Sequence, residues 1–336
     1  MAYTYDEIIK AFKNEEETVI PVSFWHHFAK SEFIDALTHP EVFDLNVNGH
    51  KHYVDEIDPD FVKTMTDGYF IDPATGGFSR KTVADLKAIK PLVDTNPWLT
   101  QQAELAEQQV QAAAGRPTFY TVFSPLTALK WTLIDHDTEA LTVADERFAD
   151  LYEEDPEAVR HALFSIGEDT KQLVAKLADT GLTGIYYSTQ SIQDARVKTK
   201  TFFKDTIEPV DLDVITAINA NFDLNILHVC GFDGATNDLE WFKDYPLQII
   251  NWATQVDGYT LGEGKRLFGG KPVLGGFGNE SSELLYSGTK EAIQAEARKL
   301  VAEAGRRGVI IGADCTVPRD IPAEHIRWVQ EAIHNL

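Results

Sequence analysis

The chain of 336 residues carries 53 acidic and 30 basic side chains, a formal net charge of −23, and 43% of its residues are hydrophobic. This apolar content suffices for a large buried core, while the negative charge disfavours binding to nucleic acid or to an anionic membrane surface. We expect no signal peptide and no membrane span, because the N-terminus lacks a basic stretch followed by an apolar one and no apolar run is long enough. Two cysteines do not make a secreted disulfide scaffold, so we expect a cytoplasmic protein.

Short runs rich in β-forming residues alternate with helical patterns along the chain. The expected strands are residues 19–24, 68–71, 118–123, 184–187, 225–230, 247–252, 272–274 and 308–311. Apolar residues at three- and four-residue spacing predict helices over residues 98–114, 156–179, 211–220, 290–306 and 323–334. Residues 46–97 have the least regular pattern, so we expect loop decoration there.

Eight strands alternating with helices predict an α/β fold. Each expected strand ends in polar or small residues, as it would if all eight ends faced one mouth. This favours a (β/α)8 TIM barrel over an open doubly wound sheet. We expect residues 1–336 to form a single domain of this kind with helical and loop decoration near its N-terminus.

The only two cysteines each follow an apolar run that reads as a strand. Cys230 ends the fifth expected strand, Cys315 follows the eighth, and His228 lies two positions before Cys230. Side chains at i and i+2 of a strand point the same way, so His228 and Cys230 would face one cavity. One imidazole and two thiolates are three ligands of a tetrahedral zinc site whose fourth position is open.

Two other interpretations of these residues remain. Buried free cysteine is often a small core side chain, and His228 would then be an ordinary buried histidine. A Cys230–Cys315 disulfide is disfavoured by the expected compartment. The large sequence separation of the two cysteines excludes a compact zinc finger, in which ligands lie close together in the chain.

The sequence resembles the uroporphyrinogen decarboxylase superfamily in residues 228–231, in Asp314–Cys315 and in residues 60–65. Within it, the chain is similar to the zinc-containing, corrinoid-dependent thiol methyltransferases, over residues 5–333. The resemblance implies that His228, Cys230 and Cys315 bind Zn²⁺ and that a small thiol takes the open position as thiolate. It also implies a methyl group donated by methylcobalamin on a separate corrinoid protein, and a possible homodimer.

Cobalamin-independent methionine synthases are similar in having His-x-Cys and a late Cys on a barrel. They add a glutamate ligand at the next strand end, where this chain has Asn251 and Trp252. That fourth protein ligand is therefore expected to be missing.

Decarboxylases of the superfamily open with a motif whose two arginines hold substrate carboxylates. At the matching positions this chain has His26 and Lys30, and its first arginine is Arg80. Asp72 is the nearest candidate for the aspartate that contacts the pyrrole nitrogens, and the late Gly-His-Gly motif places its histidine at Asp314. A highly anionic tetrapyrrole needs fixed cations, which this acidic chain does not offer at those positions.

The remaining candidate site residues follow the expected strands. Asp314, His26 and Asp72 are candidate catalytic residues, with Asp314 a possible acceptor behind the metal ligands. The candidate substrate-binding residues, each equally compatible with a capping, loop or core role, are Gln190, Asn251, Trp252, Tyr187 and Asn279.

Three functions fit these observations. The first is transfer of a methyl group from a corrinoid to a small thiol at zinc. The second is decarboxylation of uroporphyrinogen, and the third is a non-catalytic barrel that binds a corrinoid or a thiol.

Overall fold

The computed structural model describes residues 2–15 and 18–336, and its centre is a sheet of parallel strands. Neighbouring strands are consecutive in the chain, so the sheet curls steadily in one direction. The strands are β1 (Val62–Thr64), β2 (Thr118–Phe123), β3 (Gly184–Thr189), β4 (Ile226–Val229), β5 (Ile249–Trp252), β6 (Val273–Phe277) and β7 (Val309–Ala313).

The first expected strand closes the barrel as an extended segment between β7 and β1. On one side, Ser23 N donates to Ile311 O at 3.1 Å and Ile311 N donates to Pro21 O at 2.9 Å. On the other side, Asp60 N donates to Val22 O at 3.1 Å, and the Asp60 carboxylate accepts from Val22 N at 2.8 Å. These bonds confirm the predicted TIM barrel, with the extended segment in the place of its eighth strand.

The prediction of a strand at residues 68–71 is wrong, because the strand at this place is β1. Gly68 has φ of +85°, a left-handed conformation that turns the chain out of an extended path. Its N–H donates to Glu32 O at 2.7 Å and its carbonyl accepts from Ala36 N at 3.0 Å. Gly68 is thus bonded to the N-terminal loop, and the strand of the sheet at this place is β1.

Helices surround the barrel, and all five predicted helices are confirmed as α4, α7, α9, α13 and α14. The helices in chain order are α1 (Tyr5–Phe12), α2 (Glu41–Ile57), α3 (Val83–Ala88), α4 (Pro97–Ala112), α5 (Pro125–Trp131), α6 (Leu141–Glu154), α7 (Pro156–Leu177), α8 (Lys200–Phe202), α9 (Glu208–Asn221), α10 (Thr254–Asp257), α11 (Leu261–Leu267), α12 (Leu284–Ser287), α13 (Lys290–Ala304) and α14 (Ala323–His334). None of the helices in the described ranges combines the length and apolar character needed to cross a membrane.

Local sequence sets the starts of the long helices α4 and α7. Pro97 and Pro156 occupy the first helical turn, where a missing N–H costs nothing. The side chain of Asn96 accepts from Trp98 N at 2.9 Å, and that of Asp155 accepts from two N–H groups of the first turn. Each cap satisfies donors that would otherwise be unpaired.

The barrel lumen is filled by apolar side chains at the end opposite the strand carboxyl termini. Helix α1 covers this end with Ile8 and Phe12, and the Phe12 ring lies 5.2 Å from Phe61 and 5.5 Å from Phe119. Further buried members of this inner layer are Tyr186, Ile226, Ile249, Leu274 and Ile310. Since one end is packed, the carboxyl ends of the strands are where a ligand can enter.

Outside the lumen, a buried pair of carboxyl groups joins the loop after β1 to α7. Asp72 and Asp169 are both buried, and each has one carboxylate oxygen without a hydrogen-bond partner among the described residues. Burial, then the charge of Asp169, raises the pKa of Asp72 well above its ordinary value, and burial raises the pKa of Asp169 to about 6. At a pH between the ordinary pKa of aspartate and these raised values, the folded pair keeps a proton that the unfolded chain has already released.

Because of this pair, we expect the stability of the protein to depend on pH, and we expect the substitution Asp72→Asn to remove that dependence. Because the folded state holds the extra proton, stability should fall as pH rises from about 4 to above 6. Asp72→Asn supplies a donor that does not titrate, so we expect a gain of about 1–3 kcal/mol relative to wild type at pH 8. Denaturant unfolding at pH 5 and pH 8 measures this, with the exposed Asp179→Asn as the control. If the free energy of unfolding of Asp72→Asn differs between pH 5 and pH 8 by as much as that of wild type, the shared proton is contradicted.

Candidate metal centre

A cavity of about 300 Å³ opens at the carboxyl ends of the strands. It lies above the packed layer of the lumen and is reached from solvent through the loops that follow the strands. The residues at its base include Trp25, Lys63, Tyr186, His228, Cys230 and Cys315. The cavity size is at the small end of the range for small-molecule sites.

His228, Cys230 and Cys315 meet at this base. One ligand atom from each lies within 4.8 Å of the others, and the two Sγ atoms are 3.7 Å apart. A disulfide would bring the sulfurs to about 2.0 Å, whereas two thiolates on a tetrahedral zinc ion with bonds of about 2.3 Å lie about 3.8 Å apart. The observed separation therefore fits two ligands of one metal ion, and both cysteines are free thiols here.

The imidazole of His228 presents one nitrogen without a partner. Nε2 is buried and has no hydrogen bond among the described residues, while Nδ1 lies 2.5 Å from Asn251 Oδ1. A buried nitrogen left unpaired costs free energy unless something else binds it. Beside two sulfur atoms, this lone pair is suited to a metal ion.

The amide of Asn251 sets the orientation of that imidazole. Its Nδ2 donates to Leu274 O at 2.9 Å and to Ala313 O at 3.2 Å, so the amide cannot be turned over without loss of both bonds. Its Oδ1 accepts from the Tyr186 hydroxyl at 2.7 Å and faces His228 Nδ1. Nδ1 must then carry the proton, which leaves Nε2 with its lone pair for a ligand.

The two sulfur atoms lie within hydrogen-bond distance of each other, and each affects the pKa of the other. The pKa of Cys315 is lowered well below its ordinary value, chiefly because its sulfur accepts a hydrogen bond from Cys230. The pKa of Cys230 is raised, first by this same bond and then by burial. A bound cation would displace the remaining proton, because metal ligands of this type are thiolates.

Asp314 lies next to Cys315, but its carboxylate is bound by groups of the neighbouring strand and turn. It accepts from Thr254 Oγ1 at 2.8 and 2.9 Å, from Gln255 N at 3.0 Å and from Gly276 N at 3.3 Å. Burial raises its pKa to about 7. Within the described chain its hydrogen bonds tie β7 to the turn after β5 and to β6, so it supports the backbone that carries Cys315.

The structure does not bring His26 and Asp72 to the cavity. His26 Nδ1 donates to the backbone of His27 at 3.0 Å, its ring packs against Tyr53, and burial lowers its pKa. Asp72 belongs to the carboxyl pair with Asp169 outside the lumen. The neighbouring His27 lines the cavity instead.

Tyr187 and Trp252 also lie away from the cavity, on the outer face of the sheet. The Tyr187 hydroxyl donates to Asp211 at 2.7 Å, and Trp252 Nε1 donates to Tyr259 O at 3.0 Å. Strand side chains alternate between faces, so the residues just before them, Tyr186 and Asn251, are the inward ones.

Gln190 and Asn279 do line the cavity. The Gln190 amide accepts from Lys130 Nζ at 2.9 Å and donates to Phe232 O at 2.8 Å, so both its ends are engaged. Asn279 makes a long bond of 3.4 Å to Thr316 O. Asn251 lies behind His228 and reaches the site through it.

The sequence reasoning missed Lys63 and Tyr186 as residues of the cavity. Lys63 is 5% exposed, and burial lowers its pKa to about 8. A lysine within an apolar run was a visible signal, but with the second strand expected at residues 68–71 its inward position was not apparent. Tyr186 was passed over for its neighbour Tyr187, since nothing in a short aromatic run says which ring faces inward.

Solved structures with the same fold include several enzymes. The first is described as a methyltransferase from Methanosarcina mazei, with a TM-score of 0.72, 15% identity and 98% of each chain covered. Another is a B12-independent methionine synthase from Shewanella sp. W3-18-1, with a TM-score of 0.58, 13% identity, and 94% of this chain and 97% of that chain covered. At these identities the likeness establishes the shared fold.

Family membership comes from the sequence itself. No curated protein sequence matches the chain. The family model described as Uroporphyrinogen decarboxylase (URO-D), however, matches residues 78–336, which include all three candidate metal ligands. The match and the closed barrel agree with the superfamily resemblance seen in the motifs: the chain belongs to the uroporphyrinogen decarboxylase family.

Proposed function

We propose that this protein is a zinc-dependent methyltransferase that moves a methyl group from a methylated corrinoid on a partner protein to a small thiol. The observation that carries the proposal is the convergence of His228 Nε2 and two cysteine sulfurs at the base of an open cavity. Three ligands and an accessible fourth direction are the arrangement of catalytic zinc sites, whereas structural sites have four protein ligands.

His228, Cys230 and Cys315 would hold the ion, and Asn251 would keep the imidazole in the required tautomer. When bound, zinc supplies the positive charge that keeps an acceptor thiol deprotonated near neutral pH. In the transfer, the acceptor sulfur gains a bond to the methyl carbon as the cobalt–carbon bond of the donor breaks, with its electron pair left on cobalt. The walls of the cavity contribute by orienting the acceptor in line with the donor.

The size of the cavity favours a small acceptor and an external donor. About 300 Å³ matches a small thiol, whereas a corrin or a porphyrinogen ring would have to extend out of the mouth of the cavity. Phe232 lines the cavity and is 45% exposed, so it offers an apolar contact at the mouth. A corrinoid carried by another protein would dock at this mouth and present only its methyl group.

Decarboxylation is the weaker alternative, because apart from Lys63 the basic side chains at the mouth of the cavity are bound by carboxylates. Arg319 binds Glu32 at 2.6 Å, and His27 binds Asp67 at 2.6 Å. A tetrapyrrole with many carboxylates would need several free cations. The family name alone does not supply them.

We also propose a cellular compartment and an oligomeric state for the enzyme. Free thiols at the centre suit a reducing cytoplasm, and a homodimer is compatible with the barrel. The named methyltransferase and methionine synthase with this fold support methyl transfer as the reaction class.

Metal content gives the first test. Protein purified without chelator should contain about one zinc ion per chain, and a Cys230→Ser, Cys315→Ser double variant should contain almost none. The control is His52→Gln, an exposed histidine expected to leave the zinc content unchanged. Elemental analysis that finds no zinc in the wild type would refute the proposal.

Turnover separates the three functions. We expect zinc-loaded protein to methylate small thiols from methylcobalamin, with the activity lost in the double cysteine variant. Coproporphyrinogen formed from uroporphyrinogen under anaerobic conditions would instead establish the decarboxylase. Ligand binding without turnover of any methyl donor would establish a non-catalytic barrel.

The role of Asn251 predicts a specific loss of metal affinity. Asn251→Leu removes the acceptor for His228 Nδ1, so zinc affinity should fall about 10- to 100-fold. Trp252→Phe is the matched control, because the neighbouring side chain faces away from the centre and should affect stability only. Competition with a chelator measures affinity, and circular dichroism checks the fold. Unchanged affinity in a folded Asn251→Leu protein would contradict the orienting role.

A further inference from the structure

A buried lysine, Lys63, lies in the lumen of the barrel beside the proposed metal centre. Lys63 lies on β1 with its side chain directed into the barrel, and it lines the cavity with the three candidate ligands. Its Nζ contacts Met65 Sδ at 3.2 Å and lies 5.0 Å from the ring centre of Tyr186 and 5.8 Å from that of Trp25.

No carboxylate within the described residues forms an ion pair with this ammonium group. Asp67, the carboxylate whose charge acts on Lys63, is already bound by His27 Nδ1 at 2.6 Å and by the N–H groups of Phe28 and Ala29 at 2.8 and 2.9 Å. Aromatic faces stabilise a nearby cation but do not neutralise its charge. A buried charge without an opposite charge beside it costs free energy unless a bound ligand supplies that opposite charge.

The other buried lysine near the cavity shows the contrast. Lys130 Nζ binds Asp145 Oδ1 at 2.8 Å and Gln190 Oε1 at 2.9 Å, so its charge is compensated within the protein. Lys63 has no such partner and faces space that a ligand can enter. The difference indicates that the compensating anion of Lys63 arrives with the ligand.

The thiolates of the centre do not serve as that anion once a divalent metal binds. Two cysteine thiolates balance the two positive charges of Zn²⁺, which leaves the centre neutral and Lys63 uncompensated. The Tyr186 ring stacks on His228 with centres 5.1 Å apart, and Lys63 Nζ lies 5.0 Å from the same ring. One short molecule can therefore reach the metal position and Lys63 together.

We infer that Lys63 is a specificity-determining residue that binds an acidic group, a carboxylate or sulfonate, on the acceptor thiol. The inference rests on the proposed function and adds the chemical class of the acceptor. The sulfur occupies the open position of the centre, and the acidic group, a few bonds away, accepts a hydrogen bond from Nζ. Neutral and cationic thiols of the same length lack this bond and bind less tightly.

Binding of two isosteric thiols to cobalt-substituted protein tests the inference. 3-Mercaptopropionate carries the acidic group and 3-mercaptopropionamide does not, and sulfur-to-cobalt absorption reports their coordination without turnover. In wild type we expect the carboxylate to bind about 10- to 100-fold tighter than the amide, which is the range for a hydrogen bond between charged groups. Lys63→Met should remove this preference and leave amide binding nearly unchanged.

Lys63→Gln provides a second, polar and uncharged variant, and the exposed Lys51→Met controls for loss of one positive charge. Equal affinity of the two thiols in wild type, or an equal loss of both in the Lys63 variants, would overturn the assignment while the thiol site stands. If neither thiol perturbs the cobalt spectrum of wild type, the proposed function fails and the inference fails with it.

Discussion

A single amide side chain holds the centre of this barrel together. Asn251, on β5, donates to the backbone of β6 and of β7 and accepts from Tyr186 on β3 and His228 on β4. One buried group thereby links strands on both sides of its own and fixes the protonation of the histidine. The proposed metal centre depends on this network, because His228 Nε2 is directed toward the two sulfurs only while its other nitrogen is held.

The sequence was sufficient to predict the barrel and the three candidate ligands. Strand side chains repeat every two residues, so His228 and Cys230 had to share a face, and strand ends of a barrel meet at one mouth. The same period explains the failures: an error of one position selects Tyr187 in place of Tyr186, and it adds the outward-facing Trp252 to the correctly chosen Asn251. Contacts such as that of Asp72 with Asp169 join distant segments and leave no local signal.

The charges around the cavity indicate which ligands it can bind. The chain has a net charge of −23, yet among its described residues the Lys63 ammonium group in the lumen has no carboxylate partner, whereas Arg319 and His27 at the same cavity are bound by carboxylates. Together with a cavity of about 300 Å³, this favours one small acidic ligand over a large polyanion. The same features distinguish the proposed reaction from decarboxylation of a porphyrinogen within one family.

The central claim, a zinc ion with two sulfur ligands, one nitrogen ligand and an open position, is tested most directly by X-ray absorption at the zinc edge. We expect two sulfur atoms at about 2.3 Å and one imidazole nitrogen at about 2.0–2.1 Å, with the sulfur count rising to three when a small thiol is added. A spectrum that fits four protein ligands, or one that the thiol leaves unchanged, would contradict it.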